Sequence, residues 1–229
     1  MKRLVMIAAS LGVALPAAAS AQDATSDWSV EATVGAVSDY RFRGISLSGG
    51  DPAVQAGATL SHASGFYADV YLSSIEEYGV GDDGDGSKLE MTLTGGWAGS
   101  WLGLDWDAAL SAYRYPDGDD VDYVEAPVQV SRTFGAATAT FGVAYAPEQS
   151  ALGDKDNRYV WTGLDYAPEA WLLSLAASIG YEDGAWAPDG KTDWRIGGFI
   201  PLGNVTAGVE WIDSDADKGA LVASVFASF

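Results

Sequence analysis

The sequence predicts an all-β protein, a transmembrane antiparallel β-barrel of the outer-membrane type with about 12 strands, or 10 or 14 as near alternatives. Three observations predict this fold: apolar and polar residues alternate with a period of two, short and long links alternate along the chain, and the last residue is aromatic. A period of two places the two residue types on opposite faces of a strand. Short turns at one end and long loops at the other are typical of outer-membrane barrels.

The first predicted strand shows the alternation most clearly. It begins at Trp28, and the apolar parity continues through Ala36. Extended further, the same parity places Tyr40 and Phe42 on the apolar face. The remaining predicted strands cover residues 54–61, 67–73, 89–94, 104–113, 123–131, 137–146, 158–167, 171–182, 191–200, 204–212 and 219–229.

The links between these strands fall into two groups that alternate along the chain. Short links are predicted at residues 63–65, 97–101, 135–136, 167–170 and 201–204, and longer, acidic links at 44–52, 76–87, 116–121, 147–156, 183–190 and 213–218. A soluble Greek-key sandwich has no reason to sort its loops in this way. An amphipathic sandwich secreted into the periplasm is the rival fold.

Aromatic residues near the strand ends predict two girdles, as expected where a barrel meets the two membrane surfaces. One rim is predicted to carry Trp28, Trp97, Trp101, Phe134 and Trp171, and the other Tyr40, Tyr115, Tyr145, Tyr181, Trp194 and Trp211. Phe229 ends an alternating strand. It is therefore a predicted sorting signal, read by the outer-membrane barrel assembly machinery.

Residues 1–21 have the pattern of a cleaved signal peptide. A basic start, Met1-Lys2-Arg3, precedes an apolar stretch and the small residues Ala19-Ser20-Ala21. Residues 22–229 are then expected to form one barrel domain in the bacterial outer membrane. No later segment approaches 18 uninterrupted apolar residues, so no transmembrane helix is predicted.

Composition excludes several classes of function. The chain has 229 residues, enough for one or two domains, and a formal net charge of −20 from 12 Lys+Arg and 32 Asp+Glu. This acidity excludes nucleic acid as a partner, because phosphate backbones require clustered Lys and Arg. One histidine and no cysteine leave little for a zinc site or a thiol nucleophile, and no cofactor is predicted.

Parity also predicts which charged residues face the lumen. The predicted pore-lining acids are Glu31, Asp39, Asp69, Glu90, Asp105, Asp107, Glu125, Asp193 and Glu210, and the predicted cations are Arg41, Arg43, Lys88 and Arg195. An acidic bore with an arginine pair predicts a narrow diffusion channel for small cationic or zwitterionic solutes, with Arg41 and Arg43 at the constriction. The alternative is a closed structural or adhesive barrel locked by internal salt bridges, because strand number alone does not decide whether a barrel conducts.

One part of the chain resembles a known family. Ser38-Asp39-Tyr40-Arg41-Phe42-Arg43-Gly44-Ile45-Ser46, Gly50-Asp51-Pro52-Ala53-Val54-Gln55 and Ser64-Gly65-Phe66-Tyr67 resemble the TorF-type porin family of Gram-negative bacteria. Leu47 departs from the glutamine that often follows Gly-Ile-Ser there. The resemblance implies an exported porin and no particular substrate.

Neither catalysis nor specific metal binding is predicted. His62 lies near Ser61 and Ser64 but is expected to face lipid headgroups, which favours a non-enzymatic protein. Residues 83–87 and 213–217 space acids like calcium loops, but both lack the bidentate glutamate that such loops require.

Of the 32 acids, 18 lie in residues 39–52, 76–87, 116–121, 147–157, 183–190 and 213–218, so these segments are expected to repel anions and concentrate cations near membrane lipid and lipopolysaccharide. The expected partners are therefore these lipids and small solutes, with the oligomeric state open.

Overall fold

The computed structural model describes residues 26–82 and 84–229, which form a closed barrel of 12 antiparallel strands and a separate two-stranded hairpin. The barrel strands are β1 (Trp28–Val37), β4 (Ala53–His62), β5 (Phe66–Tyr78), β6 (Ser87–Trp101), β7 (Leu104–Arg114), β8 (Tyr123–Phe134), β9 (Ala137–Gln149), β10 (Lys155–Tyr166), β11 (Ser174–Gly184), β12 (Ala187–Leu202), β13 (Val205–Ser214) and β14 (Ala220–Ser228), and the hairpin strands are β2 (Arg41–Phe42) and β3 (Ile45–Ser46). β1 pairs with both β4 and β14, which closes the sheet. The predicted fold and the count of 12 strands are confirmed.

The barrel has two unlike ends. The short-turn end carries the chain end at Phe229 and the links 63–65, 102–103, 135–136, 167–173 and 203–204; the long-loop end carries the links 38–52, 79–86, 115–122, 150–154, 185–186 and 215–219. In the described part of the chain, no helix has the length and apolar character needed to cross a membrane.

The outer wall is apolar and the inner wall polar, the reverse of a water-soluble protein. In β8, Glu125 and Gln129 are buried on the inside, whereas Val128 between them is 37% exposed on the outside. Leu110, Ile179 and Ile196 are each more than half exposed in the same manner. Closure leaves no sheet edge, so the backbone hydrogen bonds of the wall are satisfied within the sheet.

Glycines on the inner wall accommodate aromatic side chains from the neighbouring strand. Three such directly paired residues are Tyr67 with Gly96, Phe226 with Gly35 and Trp161 with Gly142. A Cβ added to Gly142 would lie 2.1 Å from Trp161, because the ring lies flat over the glycine. The absence of a side chain at these glycines therefore lets large rings lie against the wall.

The first strand is shorter than predicted. It ends at Val37, and residues 38–52, the inserted segment, turn into the barrel through β2 and β3. Arg43 and Gly44 have φ of 48° and 83°, which makes the tight turn between these two short strands. The prediction that Tyr40 and Phe42 face outward is wrong: Tyr40 is 3% exposed, and both rings pack inside the barrel.

Three predicted links also differ from the structure. β6 continues through the predicted link 97–101 to Trp101, because Leu102 and Gly103, with φ of 55° and 76°, form a two-residue turn. The predicted long link 183–190 is mostly strand, with a connection of only residues 185–186. The predicted short link 167–170 extends to residue 173, so link lengths alternate less regularly than predicted.

Two predicted side-chain positions are also wrong. Tyr115 is 7% exposed and packs inside the long-loop end, not at a rim. Lys88 is 72% exposed and pairs with Glu77, because the pairing register of β5 and β6 shifts between Ser74 and Tyr78. Apart from Tyr40 and Tyr115, the predicted girdle aromatics are exposed.

Candidate functional site in the barrel lumen

The inserted segment holds its shape through the carboxylate of Asp39. Arg41 Nε donates to Asp39 Oδ2 at 2.6 Å, and Ser46 Oγ donates to Asp39 Oδ1 at 2.6 Å. The backbone N–H of Leu47 donates to the carbonyl of Tyr40 at 2.7 Å. These bonds make the segment a compact folded unit.

Arg43 fastens this unit to two strands of the barrel wall, β8 and β11. Its Nη2 donates to Glu125 Oε2 on β8 at 2.6 Å, and its Nη1 donates to Glu182 Oε1 on β11 at 2.8 Å. Lys191 on β12 pairs with Glu182 and donates to the Arg43 carbonyl at 2.9 Å. All four side chains are at most 7% exposed, so two cations and two carboxylates form a buried, charge-balanced network across the lumen.

The Arg43 guanidinium also lies between aromatic rings. Its Cζ is 4.7 Å from the ring centre of Phe42 and 4.2 Å from that of Tyr159. Both distances fall within the range of a cation–π contact. Because arginine stays charged at all relevant pH values, this cation is a permanent part of the lumen.

A second attachment joins the inserted segment to the link 215–219. The backbone N–H of Ser46 donates to Asp217 Oδ2 at 3.0 Å, and Arg41 Nη1 lies 3.5 Å from the same oxygen. The hydrogen bond from Ser46 is the largest cause that holds the pKa of Asp217 below its ordinary value. The backbone N–H of Lys218 and the charge of Arg41 act in the same direction.

A third attachment is the buried carboxylate of Glu90 on β6. It accepts hydrogen bonds from Tyr40 at 2.8 Å and from Tyr115 at 3.1 Å. Around these residues, two clusters of buried side chains, one containing Tyr40 and one containing Tyr115, pack against the inserted segment. The long-loop half of the lumen is therefore largely filled.

A cavity of about 180 Å³ lies between the inserted segment and the short-turn half of the barrel. Its charged lining consists of Asp39, Glu125, Asp165, Asp193 and Glu210 together with Arg41, Arg43 and Arg195. Acids outnumber cations in this lining. Arg195 donates to Ser178 Oγ at 3.1 Å and lies 3.6 Å from Glu210 Oε1. The cavity thus carries an excess of negative charge.

The structure divides the sequence-predicted lumen residues into two groups. The cavity brings together Asp39, Arg41, Arg43, Glu125, Asp193, Arg195 and Glu210, and Glu90 is buried beside the inserted segment. The other predicted residues, Glu31, Asp69, Asp105 and Asp107, are on the inward parity nearer the short-turn end and do not line the cavity. They lie where the interior is more exposed. Asp69 accepts from Thr59 at 2.7 Å, and Asp107 accepts from Tyr67 at 3.0 Å.

Sequence reasoning missed Glu182 and Lys191, which complete the Arg43 network, and Tyr159, which packs on it. Strand parity could have found Glu182 and Lys191. Lys191 shares the parity of Asp193, and Glu182 alternates with the outward Tyr181. The signal was weak because both lie at the predicted ends of their strands.

Two motifs considered in the sequence serve local structure. His62 Nδ1 lies 2.7 Å from Ser64 Oγ, and its ring packs 4.5 Å from that of Trp28 at the short-turn end. In the acidic motif 213–217, Asp215 accepts hydrogen bonds from the Thr192 N–H. In the motif 83–87, Asp83 lies outside the described residues.

One family model matches nearly the whole chain. The model of a family described as a bacterial protein of unknown function, Gcw_chp, matches residues 21–228. No curated protein matches the sequence. The TorF-type resemblance is not tested by these matches and stays a prediction.

Among solved structures, the KdgM porin aligns with a TM-score of 0.59 at 9% identity, over 87% of this chain and 98% of that one. Another structure of that porin, in complex with disordered oligogalacturonate, aligns equally well. The NanC porin aligns with a TM-score of 0.53 at 8% identity, over 87% of this chain and 98% of that one. The chain has the fold of these porins.

Proposed function

Since the chain belongs to the Gcw_chp family and has the fold of outer-membrane porins, we propose that it is a narrow diffusion channel of the bacterial outer membrane for small cationic or zwitterionic solutes. The carrying observation is a closed barrel with an exposed apolar outer wall and a charged, net acidic cavity inside. A wall of this kind is stable only when lipid covers it.

Segments at the two ends of the chain direct export and insertion into the outer membrane. Residues 1–21 act as the export signal and are removed, which leaves 22–229 as the barrel domain. Phe229 acts as the signal for the barrel assembly machinery, and its exposed ring supports this role. The apolar wall then contacts lipid, and the acidic long-loop end faces lipopolysaccharide.

The inserted segment is the constriction of the channel. Arg41 and Arg43 fix it across the bore, and both are neutralised by carboxylates from the segment itself, the wall and the link 215–219. The remaining cavity acids favour cations, and the acidic long links repel anions before they enter. A structure of the KdgM porin in complex with disordered oligogalacturonate supports the binding of a solute by a barrel of this fold.

A closed structural barrel is the second candidate, and the Arg43 network favours it. Four buried charged groups that satisfy one another fill the long-loop half of the lumen, as expected of a plug. A diffusion channel should conduct ions across a bilayer, whereas a closed barrel should not.

Planar-bilayer recording of the purified, folded barrel separates the two candidates. Under a potassium chloride gradient, we expect small single-channel steps and a reversal potential that indicates cation preference. Heat-modifiable mobility on a gel verifies that the sample is folded. Well-folded protein without channels would leave the closed barrel as the function.

A further inference from the structure

Several residues that line the cavity beneath the inserted segment carry a side-chain oxygen that has no hydrogen-bond partner in the protein. Seven buried side-chain oxygens have no hydrogen-bond partner within residues 26–82 and 84–229, and five of them belong to residues that line the cavity: Gln55 Oε1, Glu125 Oε1, Thr140 Oγ1, Asp193 Oδ2 and Glu210 Oε1. Each of these residues is at most 9% exposed and lines the cavity. Unsatisfied buried oxygens of this kind are rare in proteins and costly, so a donor from elsewhere would stabilise them.

The cations of the cavity are already engaged. Arg43 is held by two carboxylates, and Arg41 by Asp39 and the carbonyl of Gly44. Arg195 donates to Ser178 and lies near Glu210. An anionic or zwitterionic solute would need to displace one of these partners for its carboxylate, whereas a solute with only donors would not.

The unused acceptors are spread around the wall and do not converge on one point. Glu125 lies on β8, Asp193 on β12 and Glu210 on β13. Among the described residues, no three His, Cys, Asp or Glu side chains are grouped so as to hold a metal ion. An extended solute with a donor at each end fits this spacing better than a single ion.

Aromatic rings supply a second kind of contact for such a solute. Tyr159 and Trp161 stack with ring centres 5.5 Å apart, and both line the cavity beside Asp193. The Tyr159 hydroxyl donates to Asp193 Oδ1 at 3.0 Å, which leaves Oδ2 as the unused acceptor. An ammonium group at Oδ2 would thus also have aromatic faces nearby for cation–π attraction.

We propose that this cavity is a binding site for small aliphatic diamines, with one ammonium group at Asp193 and the other at Glu210 or Glu125. The inference rests on the proposed function and names its preferred solute class. Hydrogen bonds from ammonium groups to carboxylates are charge-assisted, so a diamine should bind better than a neutral molecule of equal length.

Titration calorimetry on the full folded barrel in detergent tests the site without any need for conductance. The probe is 1,4-diaminobutane, compared with 1,4-butanediol, at about 0.15 M potassium chloride, where a Debye length of about 8 Å screens the acidic loops. We expect saturable binding of the diamine and none of the diol. Equal heats from both compounds, or none from either, would overturn the proposal.

A matched pair of double variants locates the site. Asp193→Asn with Glu210→Gln should weaken diamine binding roughly tenfold or more, a change of about 1.4 kcal/mol. Glu77→Gln with Asp156→Asn removes the same two residue types at the long-loop end, and binding should not change. Equal weakening in both would assign the heat to surface charge and contradict the cavity site.

The outcome is independent of the channel test. Channels without diamine binding would reject the site and keep the porin. Diamine binding in a barrel without channels would reject the porin and keep the site. If the cavity variant does not fold, the comparison of diamine and diol on the wild-type protein still decides.

Discussion

Arg43 Nη2 donates a 2.6 Å hydrogen bond to Glu125 Oε2, and this bond joins the turn of the inserted segment to the wall of the barrel at β8. The two side chains are 7% and 2% exposed. Neither charge is therefore hydrated enough to remain without its partner. The position of the segment depends on this pair and on the second carboxylate, Glu182.

Arg43→Ala should both destabilise the barrel and open it. Loss of the guanidinium leaves Glu125 buried and uncompensated, while Glu182 keeps only Lys191 as its cation. Breaking a buried ion pair in this way costs on the order of 3–5 kcal/mol. The segment should then leave the lumen, so we expect a larger single-channel conductance and stronger cation preference. Denaturant unfolding and bilayer recording measure the two effects.

Arg158→Ala is the matched control for that experiment. Arg158 pairs with Asp156 at 2.7 Å, but its side chain is 65% exposed, so water and salt screen the pair and it should add little to stability. The conductance and the stability of the Arg158→Ala barrel should remain close to those of the wild type. An Arg43→Ala barrel with unchanged conductance would show that the segment does not constrict the channel.

Strand parity explains why most of the barrel could be predicted from the sequence and the inserted segment could not. Alternation is local, and it assigns Glu125, Arg195 and Glu210 to the inner wall; in the structure these residues line the cavity. Parity also placed Asp39, Arg41 and Arg43 on the inside, but by assuming a strand that in fact ends at Val37. The partners of Arg43 are 82 and 139 residues away, and no local pattern encodes which distant carboxylate a folded segment will meet.

Gly96→Ala should destabilise the barrel by about 1–3 kcal/mol, as overpacking of a close contact does. A Cβ at this position would lie 2.5 Å from the ring of Tyr67, whose hydroxyl donates to Asp107 at 3.0 Å. The ring must move, and the hydrogen bond is then lost. Denaturant unfolding of the two proteins in the same detergent measures the difference in free energy.

Gly95→Ala is the control for Gly96→Ala. Gly95 has no atom within 4 Å of an added Cβ, so Gly95→Ala should be neutral or stabilise by on the order of 0.5–1 kcal/mol. If the two alanine variants unfold at the same denaturant concentration, the aromatic ring over Gly96 does not constrain the wall.

The contribution of Asp217 to stability should disappear in acid. Its pKa is lowered in the folded protein, so the deprotonated form stabilises the fold at pH values above the ordinary aspartate pKa of about 3.9. That contribution falls as the pH drops from this value through the lower folded pKa. Asp217→Asn should therefore be less stable than wild type at neutral pH, and the difference should shrink below about pH 4.

Unfolding free energies of wild type and Asp217→Asn across this pH range provide the measurement. Asp119→Asn, an exposed acid in the link 115–122, is the control and should show no comparable pH-dependent difference. A difference for Asp217→Asn that stays constant through the acid range would contradict the hydrogen bond from Ser46 as its cause.

Phe229→Ala should impair assembly in cells but not the stability of the folded barrel. The Phe229 ring is 65% exposed, while its backbone N–H donates to the Ala32 carbonyl at 2.9 Å and its carbonyl accepts from the Ala32 N–H at 3.2 Å. Alanine keeps both backbone bonds, so protein refolded in detergent should unfold at nearly the same denaturant concentration as the wild type.

Phe134→Ala, which removes a ring that is 58% exposed at the same end of the barrel, controls for the loss of an aromatic side chain. We expect the amount of heat-modifiable protein in the outer membrane to fall for Phe229→Ala alone; equal amounts for both variants would show that the terminal ring is not a sorting signal.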